Sequence, residues 1–238
     1  MIEGEQRSAV YQGVSFLFRI KICGITARVD AEAAFRAGAD AIGFNFYVRS
    51  LRCIGAEQAR EISSSLPKAI ARVGVFVNSG ADEIVRTLSQ CPLDYVQLHG
   101  NEPIEILNQL SGVAVIRALR LGEDQLLEVA ARANEWLAAG AVAVLLDSPQ
   151  PPGEFGGSGS IGNWAQAKQT VSLVKGPFIL AGGLDPANVR VAIDVVGPWG
   201  VDCASGVETF PGKKSSELVH QFVAAARAAF DAGPMGSR

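Results

Sequence analysis

A chain of 238 residues with 48% hydrophobic and 19% charged side chains has the length and apolar content of one large α/β domain. Its formal net charge is -3, and no run of lysines or arginines interleaves with aromatics, which excludes the electrostatic footprint of a nucleic-acid binder. A small phosphorylated ligand stays open, because backbone amides at helix N-termini bind phosphate without net positive charge.

Residues 1–17 read as an irregular N-terminal extension. The longest apolar piece there, Val14 to Phe18, is too short for a signal h-region or a membrane span, so a reducing cytoplasmic setting is expected. From residue 18 onward, eight short apolar runs end at Cys23, Phe46, Val77, Leu98, Leu119, Leu146, Leu180 and Cys203. Between them lie Ala-rich segments of helical period, roughly Val29 to Ala37, Ala56 to Ser65, Ala81 to Leu88, Pro103 to Leu110, Asp124 to Leu137, Ile161 to Val171, Pro186 to Val195 and Ser216 to Ala229. Thr26 to Asp30 and Asp185-Pro186 supply N-cap chemistry, with Asp185 at the cap and Pro186 at the first helical position. Runs such as Ala41 to Phe46 and Val142 to Leu146 are apolar almost throughout, as in parallel strands covered on both faces. The pattern predicts one (β/α)8 TIM barrel over 18–231, with 232–238 as a flexible tail. A doubly wound sheet is the weaker reading, since no Gly-rich dinucleotide fingerprint follows the first strand.

Four cysteines, Cys23, Cys53, Cys91 and Cys203, are widely spaced, form no CxxC pair and are joined by only two histidines, His99 and His220. Neither a zinc site nor a disulfide framework is indicated. In a TIM barrel the reacting groups stand at the C-terminal ends of the strands, which selects Cys23, Arg52, Asn78, His99, Arg117, Asp147, Gly182 and Ser205 as residues expected to converge on one rim. Cys23 at a strand mouth suggests a thiolate base, although a cysteine needs a nearby cation or dipole to act as one. Lys21 is read as turned away from that thiol. Cys53 and Cys91 are taken as packing or loop residues, whereas Cys203 has no preferred side.

Asp147 ends an apolar run, where a carboxyl is costly unless hydrogen-bonded or at work near water. It is a candidate general acid, kept protonated by apolar neighbours. Gly182-Gly183 and Ser205-Gly206, in the loops after strands seven and eight, match the usual phosphate site of such barrels. Gly156-Gly157-Ser158-Gly159, preceded by Pro151-Pro152, forms a loop six able to act as a lid. Arg49 and Arg52 lie in loop two, where a rim arginine can grip a carboxylate with both arms of its fork. His99 is suited equally to orienting a loop and to meeting substrate, while His220 carries no catalytic weight.

The ordered motifs KICGIT, GADAIGFNFY, VGVFVN, VQLHG, IRAL, LLDS, GGSG, LAGGLDPANV, ASGVE and PGKKS resemble the phosphoribosylanthranilate isomerase family of tryptophan biosynthesis over about Arg19 to Ala229. The resemblance implies a (β/α)8 barrel that carries out an Amadori rearrangement of N-(5-phosphoribosyl)anthranilate without metal or organic cofactor. It implies Cys23 as general base and Asp147 as general acid. It also implies Arg52 for the anthranilate carboxylate, the amides of Gly182, Gly183, Ser205 and Gly206 for phosphate, and lesser substrate contacts from Gly157, Ser158, His99 and Asp202. A small phosphorylated substrate is then the only obligatory partner, with no nucleic acid or membrane, for a monomer or homodimer.

The chain departs from the family pattern in loop two, where Phe46-Tyr47-Val48-Arg49-Ser50-Leu51-Arg52 lacks two prolines, and at Asn45 and Gly162-Asn163-Trp164. The missing prolines affect loop entropy rather than chemistry. Two other readings compete. Another phosphosugar barrel enzyme, such as an epimerase or indole-glycerol-phosphate synthase, calls for a histidine metal set or a catalytic lysine at a strand end. A non-catalytic phospholigand-binding barrel predicts binding without turnover.

Overall fold

The structure is a computed structural model that describes residues 18–121, 126–147 and 164–233. Eight parallel strands close on themselves in sequential order: β1 (Ile20–Cys23), β2 (Ala41–Asn45), β3 (Ala71–Phe76), β4 (Tyr95–Leu98), β5 (Val115–Arg120), β6 (Ala143–Asp147), β7 (Phe178–Ala181) and β8 (Gly200–Cys203). Pairing of β1 with both β2 and β8 closes the barrel. Helices α1 (Arg28–Ala37), α2 (Ala56–Ser64), α3 (Ala81–Gln90), α4 (Ile106–Gln109), α5 (Leu126–Ala138), α6 (Trp164–Leu173), α7 (Val189–Val196) and α8 (Ser216–Ala232) alternate with the strands. This is the predicted (β/α)8 TIM barrel.

Alternation along each strand divides the apolar residues into two cores. Val73, Tyr95, Ile116, Leu145 and Ile179 point inward and fill the barrel, with Phe18 plugging its base edge-on against Tyr95 at a ring separation of 5.7 Å. Ile22, Phe44, Leu146, Leu180 and Val201 point outward beneath the helices, where Ala31, Ala59, Ala133, Ala167 and Ala192 allow close approach. Strands buried on both faces explain the nearly unbroken apolar runs in the sequence. No helix among the described residues is long and apolar enough to cross a membrane.

Element boundaries depart from expectation at three helix starts. Fourth-helix character extends only over Ile106–Gln109, rather than from Pro103 to Leu110. Regular helix α7 begins at Val189 rather than Pro186, yet the Asp185 carboxylate accepts from the amides of Ala187 and Asn188, the N-cap contacts expected of it, across the turn that leads into the helix. Helix α1 is preceded by Ala27 with no side-chain cap, and Asp30 instead accepts from the backbone amide of Lys214. Beyond β8, a single 3-10 turn (Ser205–Val207) leads into an unforeseen hairpin of β9 (Glu208–Phe210) and β10 (Lys213–Lys214). That hairpin folds over the strand ends and is tied to loop one by the Thr26 hydroxyl, which donates to the Gly212 carbonyl at 2.6 Å.

Candidate active site

Side chains that end inward-facing positions of the strands enclose a cavity of about 800 Å³ at the C-terminal mouth. Its lining includes Cys23, Arg52, His99, Asp147, Gly182, Gly183, Asp202 and Ser205. Cys23 on β1 and Asp147 on β6 therefore face one pocket. Around the closed sheet they are separated by β7 and β8, and the loops of those two strands occupy the arc between them.

Not every residue selected from the sequence lines the pocket, and Arg117 fails on strand parity. Arg117 sits between the inward-facing Ile116 and Ala118 on β5, so it points outward. There it pairs with Glu102 at 2.5 Å and lies over the Trp136 ring, outside the pocket lining, while Arg120 of the same strand lines the pocket. Asn78 is also absent from the lining; its carboxamide oxygen accepts from the Asn101 amide and its backbone amide donates to Glu102. Gly206 packs against the backbone of Leu184 closely enough to exclude any Cβ and is not part of the lining. Cys203 turns its thiol to the Leu184 carbonyl at 3.0 Å. Gly157 and Ser158 lie outside the described residues.

Lys21 reverses its expected orientation. Residues two apart on a strand share a face, so Lys21 and Cys23 both point into the barrel. The Lys21 side chain is fully buried, with its ammonium 2.8 Å from Asp202 Oδ2 and 3.0 Å from Gln97 Oε1. Gly43 on the neighbouring strand makes room for the pair, since a Cβ there would stand 2.7 Å from Cys23 Sγ and 3.0 Å from Lys21 Cε. Burial is the largest influence on both groups. It disfavours the Lys21 ammonium, but Asp202 and Cys23 outweigh it and raise the lysine's pKa above its ordinary value. Burial pushes the Cys23 thiol up, Lys21 pulls it down, and Asp202 pushes it up again, leaving it above the ordinary cysteine value.

A polar chain continues across the barrel from this pair. Gln97 Nε2 lies 3.1 Å from His99 Nδ1, and His99 Nε2 lies 3.4 Å from Asp147 Oδ2. Asp147 consequently has an imidazole beside it rather than the wholly apolar surroundings that the sequence suggested. The Asp202 Oδ1 atom is buried without a hydrogen-bond partner among the described residues, on a side chain that lines the pocket.

Arg52 crosses from loop two to the hairpin. Its Nε and Nη2 donate to the two oxygens of Glu208 at 2.8 and 2.6 Å, and Lys214 Nζ donates to Glu208 Oε1 at 2.7 Å. Gly24 permits this path: it adopts φ 74°, and a Cβ there would stand 2.5 Å from Arg52 Cδ. The bond to Glu208 raises the Arg52 pKa. Burial opposes ionisation of Glu208, but Arg52 and Lys214 together hold its carboxyl below the usual carboxylate range. Across the pocket, Gly182 and Gly183 take left-handed φ values of 87° and 64°, conformations that glycine adopts without strain. Among the described residues, no three His, Cys, Asp or Glu side chains are arranged to hold a metal ion.

Gln97, Lys21, Glu208 and Arg120 were not selected from sequence. The usable signal was parity: Lys21 and Gln97 each stand two residues before a chosen strand-end residue and share its face.

The profile of the N-(5'-phosphoribosyl)anthranilate (PRA) isomerase family matches residues 20–225. The N-(5'-phosphoribosyl)anthranilate isomerase of Rubrobacter xylanophilus is 44% identical over 211 residues, which cover 88% of this chain and 98% of the relative. The crystal structure of phosphoribosyl anthranilate isomerase from Thermotoga maritima superimposes with a TM-score of 0.80 at 42% identity, covering 89% of this chain and 100% of that one. A phosphoribosyl anthranilate isomerase in complex with reduced 1-(o-carboxyphenylamino)-1-deoxyribulose 5-phosphate gives a TM-score of 0.77 at 39% identity, with 89% and 100% of the two chains covered. Fold, pocket and sequence agree, and the chain belongs to the N-(5'-phosphoribosyl)anthranilate isomerase family.

Proposed function

We propose that this chain, as an isomerase of tryptophan biosynthesis, converts N-(5-phosphoribosyl)anthranilate to 1-(2-carboxyphenylamino)-1-deoxyribulose 5-phosphate, with Cys23 as general base and Asp147 as general acid. The observation that carries the assignment is that both side chains line one pocket, with the glycine loops after β7 and β8 between them. A phosphate bound on the amides of Gly182, Gly183 and Ser205, and more peripherally Gly206, would lay the pentose between acid and base. Asp147 transfers a proton to the furanose ring oxygen, and the ring opens to a Schiff base. Cys23, as thiolate, then removes the proton from C2, and the resulting enolamine tautomerises to the ketone, gaining a proton at C1 as its C2 hydroxyl gives up its own.

The substrate's carboxylate meets the edge of the Arg52 guanidinium that Glu208 leaves uncommitted. Asp202 Oδ1 is the acceptor for a sugar hydroxyl, since it is buried and unpartnered among the described residues. Gly157 and Ser158 of loop six are assigned as lesser substrate contacts. The catalytic domain runs over 18–231, with 1–17 and 232–238 outside it, in a cytoplasmic enzyme that works as a monomer or homodimer. Light scattering distinguishes the two assemblies.

Loss of the substrate's fluorescence provides the test. The wild type turns over, and Cys23→Ser and Asp147→Asn each lose roughly 10²-fold or more in kcat, the usual contribution of a positioned acid or base. Unchanged rates in correctly folded variants would refute the roles.

A further inference from the structure

The polar chain beneath the pocket has only one consistent arrangement of hydrogens. An ammonium has donors and no acceptor, so the Gln97 atom 3.0 Å from Lys21 Nζ must be its carbonyl oxygen. The Gln97 carboxamide nitrogen, a donor only, is then the atom turned to His99 Nδ1 at 3.1 Å. A ring nitrogen that receives a proton donor carries no proton of its own, so in the neutral imidazole the hydrogen resides on Nε2. That N–H faces Asp147 Oδ2 at 3.4 Å, a long contact of the kind that tightens when substrate fills a site. Lys21 itself is immobilised by Asp202 at 2.8 Å and is fully buried.

We infer that Lys21, acting through Gln97, locks His99 as the Nε2–H tautomer so that it donates to Asp147 Oδ2 and leaves Oδ1 as the oxygen that carries the catalytic proton. Gln97 and His99 are then positioning residues for the acid. The inference rests on the reading of Asp147 as general acid, but the tautomer can be read without any turnover. The charged side chains that line the same cavity are Asp147 from β6, Arg120 from β5, Asp202 from β8, and Arg52 and Glu208 beyond them, with Lys21 below Gln97.

The chain has only two histidines, which makes the measurement direct. In protein labelled with ring-¹⁵N histidine, long-range N–H correlation spectra distinguish the two neutral tautomers and the imidazolium. His220→Asn identifies the His99 signals. At neutral pH the wild type should show His99 with its proton on Nε2. Gln97→Glu replaces the donor facing Nδ1 with an acceptor and should protonate Nδ1, giving the Nδ1–H form or the imidazolium. An Nδ1–H tautomer in the wild type overturns the inference, as does an unaltered Nε2–H ring in Gln97→Glu. Should Gln97→Glu fail to fold, His99→Gln and His99→Leu decide the matter. His99→Gln, which retains an N–H donor, should keep kcat about tenfold above His99→Leu at similar KM, a share of what a positioned acid contributes. Equal kcat values in the two overturn it. Full activity in Asp147→Asn, with the tautomer as expected, would instead remove the acid assignment alone.

Discussion

At the scale of residues, the site is governed by which groups share a strand face. Cys23, Lys21 and the Gly43 position form one compact cluster, and its chemistry depends on the ammonium beside the thiol. Because Lys21 pulls the Cys23 pKa down against burial, Lys21→Met should move the midpoint of Cys23 alkylation by iodoacetamide to higher pH, read site by site by peptide mass mapping. A midpoint unchanged in the folded variant would show that the lysine does not tune the sulfur. Gly43→Ala should force Sγ and Cε apart, since the added carbon would stand within 3.0 Å of both, and should lower kcat more than it lowers stability. Parallel loss of both would mean that the glycine serves packing alone. Cys23 and Asp147 were legible in the sequence because each ends an apolar run at a strand mouth. Their supporting residues were not, because a buried Lys or Gln two residues upstream looks like an exception to the apolar pattern until strand parity is applied to it. Arg117 failed on the same count: it lies within β5 between the inward-facing Ile116 and Ala118, and so on the outward face.

At the scale of elements, the hairpin β9–β10 determines where Arg52 lies. The Glu208 side chain is 3% exposed and serves two cations, so removing its charge leaves Arg52 and Lys214 without their shared partner. Glu208→Gln should cost about 1–3 kcal/mol of unfolding free energy at neutral pH. The pH dependence has a definite sign. The folded pKa of Glu208 is depressed, so its contribution is complete above the unfolded carboxyl value of about 4.3 and disappears as pH falls through the folded value. The stability gap between wild type and Glu208→Gln, followed by urea unfolding, should therefore be widest above pH ~5 and close on acidification below ~4. A gap that widens on acidification would contradict this account of the triad. Nothing in the local sequence announced the hairpin: Glu208 to Lys214 carries a Pro-Gly turn, but its strands are only three and two residues long. The helix boundaries that shifted, at Ile106 and Val189, are each preceded by a turn closed by backbone bonds of i→i−3 type, such as Ile106 to Pro103 and Asn188 to Asp185, a distinction that hydrophobic periodicity does not register.

At the scale of the whole molecule, eight apolar runs separated by amphipathic segments were sufficient to specify the barrel, because parallel strands covered on both faces leave little freedom of register or order. Closure then brings β1 and β6 to one mouth, with the glycine loops after β7 and β8 on the arc between them. Cys23 and Asp147, 124 residues apart in the chain, thereby line one pocket. A crystal structure of this chain with reduced 1-(o-carboxyphenylamino)-1-deoxyribulose 5-phosphate tests that claim most directly. The account expects phosphate on the loops after β7 and β8, Cys23 Sγ within hydrogen-bond reach of C2, and the Asp147 carboxyl on the opposite side of the sugar. A ligand seated with either side chain beyond reach, or with both on the same face of the pentose, would contradict it.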